Sequence, residues 1–191
     1  MYQKRNKELD VLSLYRGDYR ARFYLRQISR LTKLPLKTTQ DLLASLEKAR
    51  IIRGEVEGRN KYFRLNLDNI KVRNILLQAE IYMTDRFLDK YSQFKTFLKS
   101  VKTDKPIIVF GSFARFAAGR DSDVDLLVVS GREEKLPSHL LPQKIHKITL
   151  SRASFVKALK EGETVIREIG ENHVILNNHS FYVNIVWDYY G

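Results

Sequence analysis

The chain contains the run Ile107-Ile108-Val109-Phe110-Gly111-Ser112 and, after ten intervening residues, Asp123-Val124-Asp125-Leu126-Leu127-Val128-Val129. Nothing else in the sequence limits its folding choices as strongly. The first run is short, continuously apolar and rich in β-branched residues, which predicts a buried strand. Gly111 lacks a Cβ, so the backbone can turn sharply there and an anion can approach it closely. Ser112 then offers a hydroxyl and an amide at the expected N-cap of a helix over 113–117, where unpaired N–H groups favour negative charge. In the second run side chains alternate, so Asp123 and Asp125 share one face while Val124 and Leu126 pack on the other.

Two carboxylates held this close repel, and a fold tolerates that chiefly when a cation sits between them. Mg²⁺ is typically held by one or two carboxylates plus phosphate oxygens of a substrate. Asp123 and Asp125 are therefore the candidate metal and catalytic residues. The competing reading is an acidic surface loop, Gly119-Arg120-Asp121-Ser122-Asp123.

Gly111-Ser112, Arg115, Ser122, Asp123 and Asp125 together resemble the signature of the DNA polymerase β-like nucleotidyltransferases, most closely their minimal prokaryotic members. The resemblance covers residues 104–187. It implies an α/β (α+β) fold with a mixed sheet flanked by helices, a nucleoside triphosphate substrate with ATP the expected one, and Mg²⁺ as cofactor. By the same resemblance Gly111, Ser112, Arg115 and Ser122 would bind nucleotide, and Asp123 and Asp125 would ligate Mg²⁺.

Two positions depart from that pattern. Phe116 follows Arg115 where the family commonly has Gly. The third carboxylate, which active members carry on a neighbouring strand, is missing: no Asp or Glu lies between Glu134 and Glu161. The expected strand near residues 144–151 puts His146 at that place. An imidazole titrates near neutrality and can serve as a base, and a packed structural histidine is the alternative.

Charge divides the chain further. Residues 1–70 hold 16 Lys and Arg against 8 Asp and Glu, whereas residues 105–191 hold 11 against 10. The basic excess, +12 over the whole chain, thus lies mainly in the N-terminal third and calls for a polyanionic partner there. Within that third, helices are expected over 8–14, 26–32 and from Leu36 onward, followed by strands over 51–57 and 61–67 joined by Gly58-Arg59-Asn60. The succession Ile28-Ser29-Arg30-Leu31-Thr32, Leu46-Glu47-Lys48-Ala49-Arg50-Ile51-Ile52-Arg53 and Gly58-Arg59-Asn60-Lys61-Tyr62-Phe63-Arg64-Leu65 resembles prokaryotic winged helix-turn-helix regulators. That resemblance implies double-stranded DNA as partner, with Lys37, Thr38, Thr39 and Gln40 at base edges and Arg59 and Lys61 on phosphate. A protein-interaction module with a solvated basic face is the competing reading.

The expected organisation is a winged helix over 1–68, a helical connector over 69–103 and a nucleotidyltransferase domain over 104–191. Apolar residues recur through the connector at three- and four-residue steps on more than one face, which predicts one or two helices that either both domains clamp or a second copy of the chain covers; a homodimer is the expectation, because many winged-helix proteins meet paired half-sites on DNA. A β-hairpin is expected at the end, with strands over 174–176 and 181–187. The chain has no cysteine, which excludes disulfides and thiolate metal sites. No apolar run approaches membrane-spanning length and no signal pattern opens the chain, so the expectation is a cytoplasmic protein without a membrane partner.

Two functions fit these residues. One is a Mg²⁺-dependent transferase moving a nucleoside monophosphate from a triphosphate to a hydroxyl acceptor, with a protein acceptor or toxin partner among the possibilities. The other is a DNA-binding regulator whose transferase domain, lacking the third carboxylate, only binds nucleotide or scaffolds.

Overall fold

The computed structural model describes residues 5–190. Its described elements fall into two compact units, residues 5–79 with 186–190 and residues 80–185.

The first unit opens with α1 (Lys7–Leu12), whose N-cap Asn6 accepts from the amides of Glu8 and Leu9. A 3-10 turn and the two-residue strand β1 (Phe23–Tyr24) lead to α2 (Leu25–Thr32). Lys33 ends α2 in the left-handed region at φ 56°, and Pro35, at φ −55°, starts α3 (Leu36–Lys48). Strands β2 (Ile52–Glu57) and β3 (Asn60–Leu65) form a tight antiparallel hairpin, closed by the pair Glu57 and Asn60 with Gly58 at φ +58°. β1 adds to the far edge of β3, giving the order β1-β3-β2. Leu43 and Leu46 of α3, Ile28 of α2, and Ile52, Phe63 and Leu65 of the sheet are buried. The Tyr15 hydroxyl donates to the Phe63 carbonyl at 3.0 Å, and burial pushes its pKa well up.

Residues expected to form a separate connector make α4 (Lys71–Lys90) and α5 (Gln93–Ser100), and the division between the two units falls inside α4.

The second unit is built on a four-stranded sheet of order β6-β5-β4-β7, with β4 over Ile107–Phe110, β5 over Val124–Val129, β6 over Ile145–Leu150 and β7 over Val174–Asn177. β4 runs antiparallel to β5 and β7, and β5 runs parallel to β6. The alternation expected of β5 holds, with Val124 and Leu126 in an aromatic cluster alongside Phe87, Tyr91, Phe94, Phe97 and Phe113. Ring centroids there stand 4.7 Å apart for Phe87 and Phe94 and 4.9 Å for Tyr91 and Phe113, the spacing of favourable edge and tilted contacts. Helices α6 (Gly111–Ala114), α7 (Arg152–Glu161), α8 (Thr164–Glu171) and α9 (His179–Tyr190) complete the described elements.

Two expectations change here. Residues 181–187 are not a strand but the middle of α9. Their β-branched and aromatic composition suggests a strand, yet the buried residues Tyr182, Val183, Ile185 and Val186 recur at helical steps, and packing overrides propensity. The helix after β4 starts at Gly111, with Phe110 as its N-cap, so Ser112 lies inside the first turn and is not the cap.

Candidate functional site

The parallel register of β5 and β6 sets Asp125 directly beside His146. On the other side, the antiparallel register of β4 and β5 sets Asp125 beside Phe110, the last residue of β4. The chain leaves β4 through Gly111, whose φ of +66° is left-handed, and a Cβ built on it would stand 2.3 Å from Oδ2 of Asp125. Only glycine avoids that overlap, so the Gly111 backbone and the Asp125 carboxylate share one crowded corner.

Asp123 and Asp125 are both partly exposed, at 44% and 30% of their side chains. His146 faces both: Nε2 is 3.5 Å from Oδ2 of Asp123, and Nδ1 is 3.6 Å from Oδ1 of Asp125. Burial is the largest influence on Asp125 and raises its pKa above the ordinary aspartate value. The nearby His146 and Arg115 act in the opposite direction, whereas the carboxylates of Glu168 and Asp123 add to the rise.

Ser112 is half-buried in the first turn of α6. Ser122 is committed locally, its hydroxyl accepting from the Gly119 amide at 2.9 Å and closing the turn before Asp123. Arg115 caps α6 at its C-terminal end and extends Nη1 to within 3.2 Å of Oε1 of Glu168 on α8. Phe116, in the place where the resembled family has Gly, takes a left-handed φ of +57°. Its ring packs near Phe87 and Tyr91, and its carbonyl accepts from Lys90.

Among the described residues, no set of three or more His, Asp, Glu or Cys side chains has the arrangement of a metal cluster. The pair Asp123 and Asp125 still fits Mg²⁺. That cation takes one or two protein carboxylates and completes its shell with water and phosphate oxygens, and these two half-exposed carboxylates lie at an open strand end. His146 is a nitrogen donor that Mg²⁺ does not favour, so it fits the site as a proton-handling group rather than a ligand.

Residues 91–177 match the family model of the nucleotidyltransferase domain. The match supports nucleotidyl transfer as the general chemistry of the second unit, and its start at Tyr91 takes in α5 ahead of the expected boundary at residue 104. No curated protein and no solved structure matches the chain. Within the matched residues, the Arg115 partner Glu168 lies on a helix, whereas the resembled pattern expects a third acid on a strand.

The first unit carries the residues expected at DNA. Lys37, Thr38 and Gln40 lie on the first turns of α3; Lys37 and Gln40 are exposed and Thr38 is half-buried. Thr39 does not join them. It is fully buried, its hydroxyl donating to the Pro35 carbonyl at 3.0 Å, because it shares a helical stripe with Leu43 and Leu46. Arg59 is exposed at the tip of the β2–β3 hairpin, and Lys61 pairs with Glu47 of α3 at 2.7 Å. A groove of about 810 Å³ runs between α3 and the hairpin, lined in part by Arg26, Gln40, Arg59 and Lys61. No helix among the described residues is long and apolar enough to cross a membrane.

Proposed function

We propose that the protein is a Mg²⁺-dependent nucleotidyltransferase that moves a nucleoside monophosphate, with ATP the expected donor, to a hydroxyl acceptor, and that its first unit binds double-stranded DNA. The observation that carries the first part is the corner formed by left-handed Gly111, the adjacent Asp125 carboxylate and Asp123 on the same face.

In this reading Asp123 and Asp125 hold Mg²⁺, which when bound offsets the triphosphate charge and the charge that develops during transfer. Gly111 lets the triphosphate approach the backbone, and the Ser112 hydroxyl donates to a phosphate oxygen. Arg115 supplies a fixed positive charge. His146, between the two carboxylates and half-exposed, accepts the proton of the hydroxyl that attacks the α-phosphorus, and the α–β phosphoanhydride bond breaks to release pyrophosphate.

For the first unit, the order helix, short strand, two helices and hairpin, with the first strand paired to the hairpin's second, supports the winged helix-turn-helix reading. Lys37, Thr38 and Gln40 would face base edges, and Arg59 and Lys61 the phosphates. Salt-dependent binding of duplex DNA, weakened for every sequence by Arg59→Ala, tests this part.

The second reading, a regulator that binds nucleotide without turnover, is favoured by His146 standing in place of a third carboxylate. Incubation with each α-labelled triphosphate, Mg²⁺ and a cell extract separates the two. Label transferred by wild type and lost in Asp123→Ala supports the transferase; nucleotide binding without transfer supports the regulator.

A further inference from the structure

One ion pair joins the helix that leaves Gly111, beside Asp125, to the neighbouring helix α8. Glu168 of α8 meets Nη1 of Arg115 at 3.2 Å, across 53 residues of sequence. Stability does not explain the placement, since the two side chains are 40% and 47% exposed and pairs of that kind contribute little to folding. Electrostatics alone argues against it. The Glu168 carboxylate disfavours the charged form of Asp125, and more strongly than Asp123 does.

The geometry of the guanidinium supplies a reason. Arginine carries five N–H donors in a planar fork, and Glu168 engages it at Nη1. A long side chain fixed before its ligand arrives loses less freedom on binding.

We propose that Glu168 is a positioning residue of the nucleotide site: it holds the Arg115 guanidinium at the end of the short helix that leaves Gly111, so that the remaining N–H donors meet the phosphates of an incoming nucleoside triphosphate. The proposal rests on the nucleotide-site reading given above. It assigns Glu168 no contact with the substrate.

The test is calorimetry of ATP with Mg²⁺ on the full chain, for wild type, Glu168→Gln, Glu168→Lys, Arg115→Met and the double variant Glu168→Gln/Arg115→Met. Glu168→Gln is expected to weaken ATP about threefold to tenfold, the effect of ordering one long side chain. Glu168→Lys should weaken it further, by repelling Arg115. The double variant should bind no worse than Arg115→Met, and the thermal unfolding of Glu168→Gln should match wild type. A carboxylate acting only through its charge gives the opposite sign, because removing it makes room for an anionic ligand. Unchanged or tighter binding in Glu168→Gln, or a loss that persists in the Arg115→Met background, overturns the proposal while leaving the site itself intact. A wild type without Mg²⁺-dependent ATP binding would instead sink the nucleotide site, and the proposal with it.

Discussion

Gly111→Ala is the sharpest perturbation available, because a single methyl group tests both the backbone conformation and the position of the Asp125 carboxylate. At φ +66° an L-residue pays about 1–2 kcal/mol relative to glycine. The new Cβ also falls 2.3 Å from Oδ2 and 3.3 Å from Cγ of Asp125, whereas ordinary contact begins at 3.4 Å. The carboxylate must therefore swing away, at about 0.5–1.5 kcal/mol if it leaves its rotamer. Together these give a loss of about 2–3 kcal/mol in urea unfolding of the full chain. Displacement on the scale of 1 Å at reacting groups costs roughly 10²-fold in rate, so any transferase activity should fall by about that factor in protein that is still folded. Asp125→Ala isolates the steric part: in that background Gly111→Ala should lose only the backbone share, about 1–2 kcal/mol. Stability within about 0.5 kcal/mol of wild type, the usual range of inconsequential surface changes, together with unchanged nucleotide binding, would refute the close approach of Gly111 and Asp125.

The raised pKa of Asp125 makes the folded state hold that proton longer than the unfolded state, so this group favours folding at low pH. The contribution is lost as pH rises from the ordinary value of 3.8 through the raised one; Asp125→Asn should remove this pH dependence and raise the neutral-pH melting temperature of protein in chelator, and no gain would count against desolvation as the main cause. At Phe116, Ala keeps the left-handed strain whereas Gly relieves it, so Phe116→Gly should be about 1–2 kcal/mol more stable than Phe116→Ala in urea titrations; equal stabilities would contradict the φ of +57°. Glu80 and His173 form a fully buried pair at 3.0 Å, with Nδ1 of His173 donating to the Ile169 carbonyl at 2.8 Å. Glu80→Ala should cost about 3–5 kcal/mol and Glu80→Gln less, since the amide can still hydrogen-bond the ring; a loss below about 1 kcal/mol for Glu80→Ala, measured the same way, would contradict the buried pair.

How much of this was legible in the sequence differs from element to element. β4 and β5 can be read directly, because buried strands leave continuous apolar runs and the alternation through Asp123 and Asp125 survives in one dimension. The neighbour relation of Asp125 and His146 is also readable once β6 is recognised, since a parallel register needs only the strand starts. Thr39 shows a signal that competes with a simpler one: its place in the first turn of α3 suggests exposure, but the spacing of Thr39, Leu43 and Leu46 marks a buried stripe. α9 is not legible from composition, because Phe, Tyr and Val over 181–183 favour strand and only the packed environment makes them helical. Glu168 lies beyond any one-dimensional pattern. Its relation to Arg115 exists only after α6 and α8 have docked on the sheet.

Residues 186–190 belong with the first unit, where Tyr190 stacks near Tyr19 at 5.4 Å and its carbonyl accepts from Arg20 at 2.8 Å. During synthesis the first unit therefore waits for its final turn of helix while residues 80–185 are made. At about 5–20 residues per second that delay is roughly 5–20 s, ample time for the incomplete unit to meet chaperones or other nascent chains. A fusion or truncation at the C-terminus, chosen to be remote from the basic N-terminal surface in sequence, would act on the very unit that carries it.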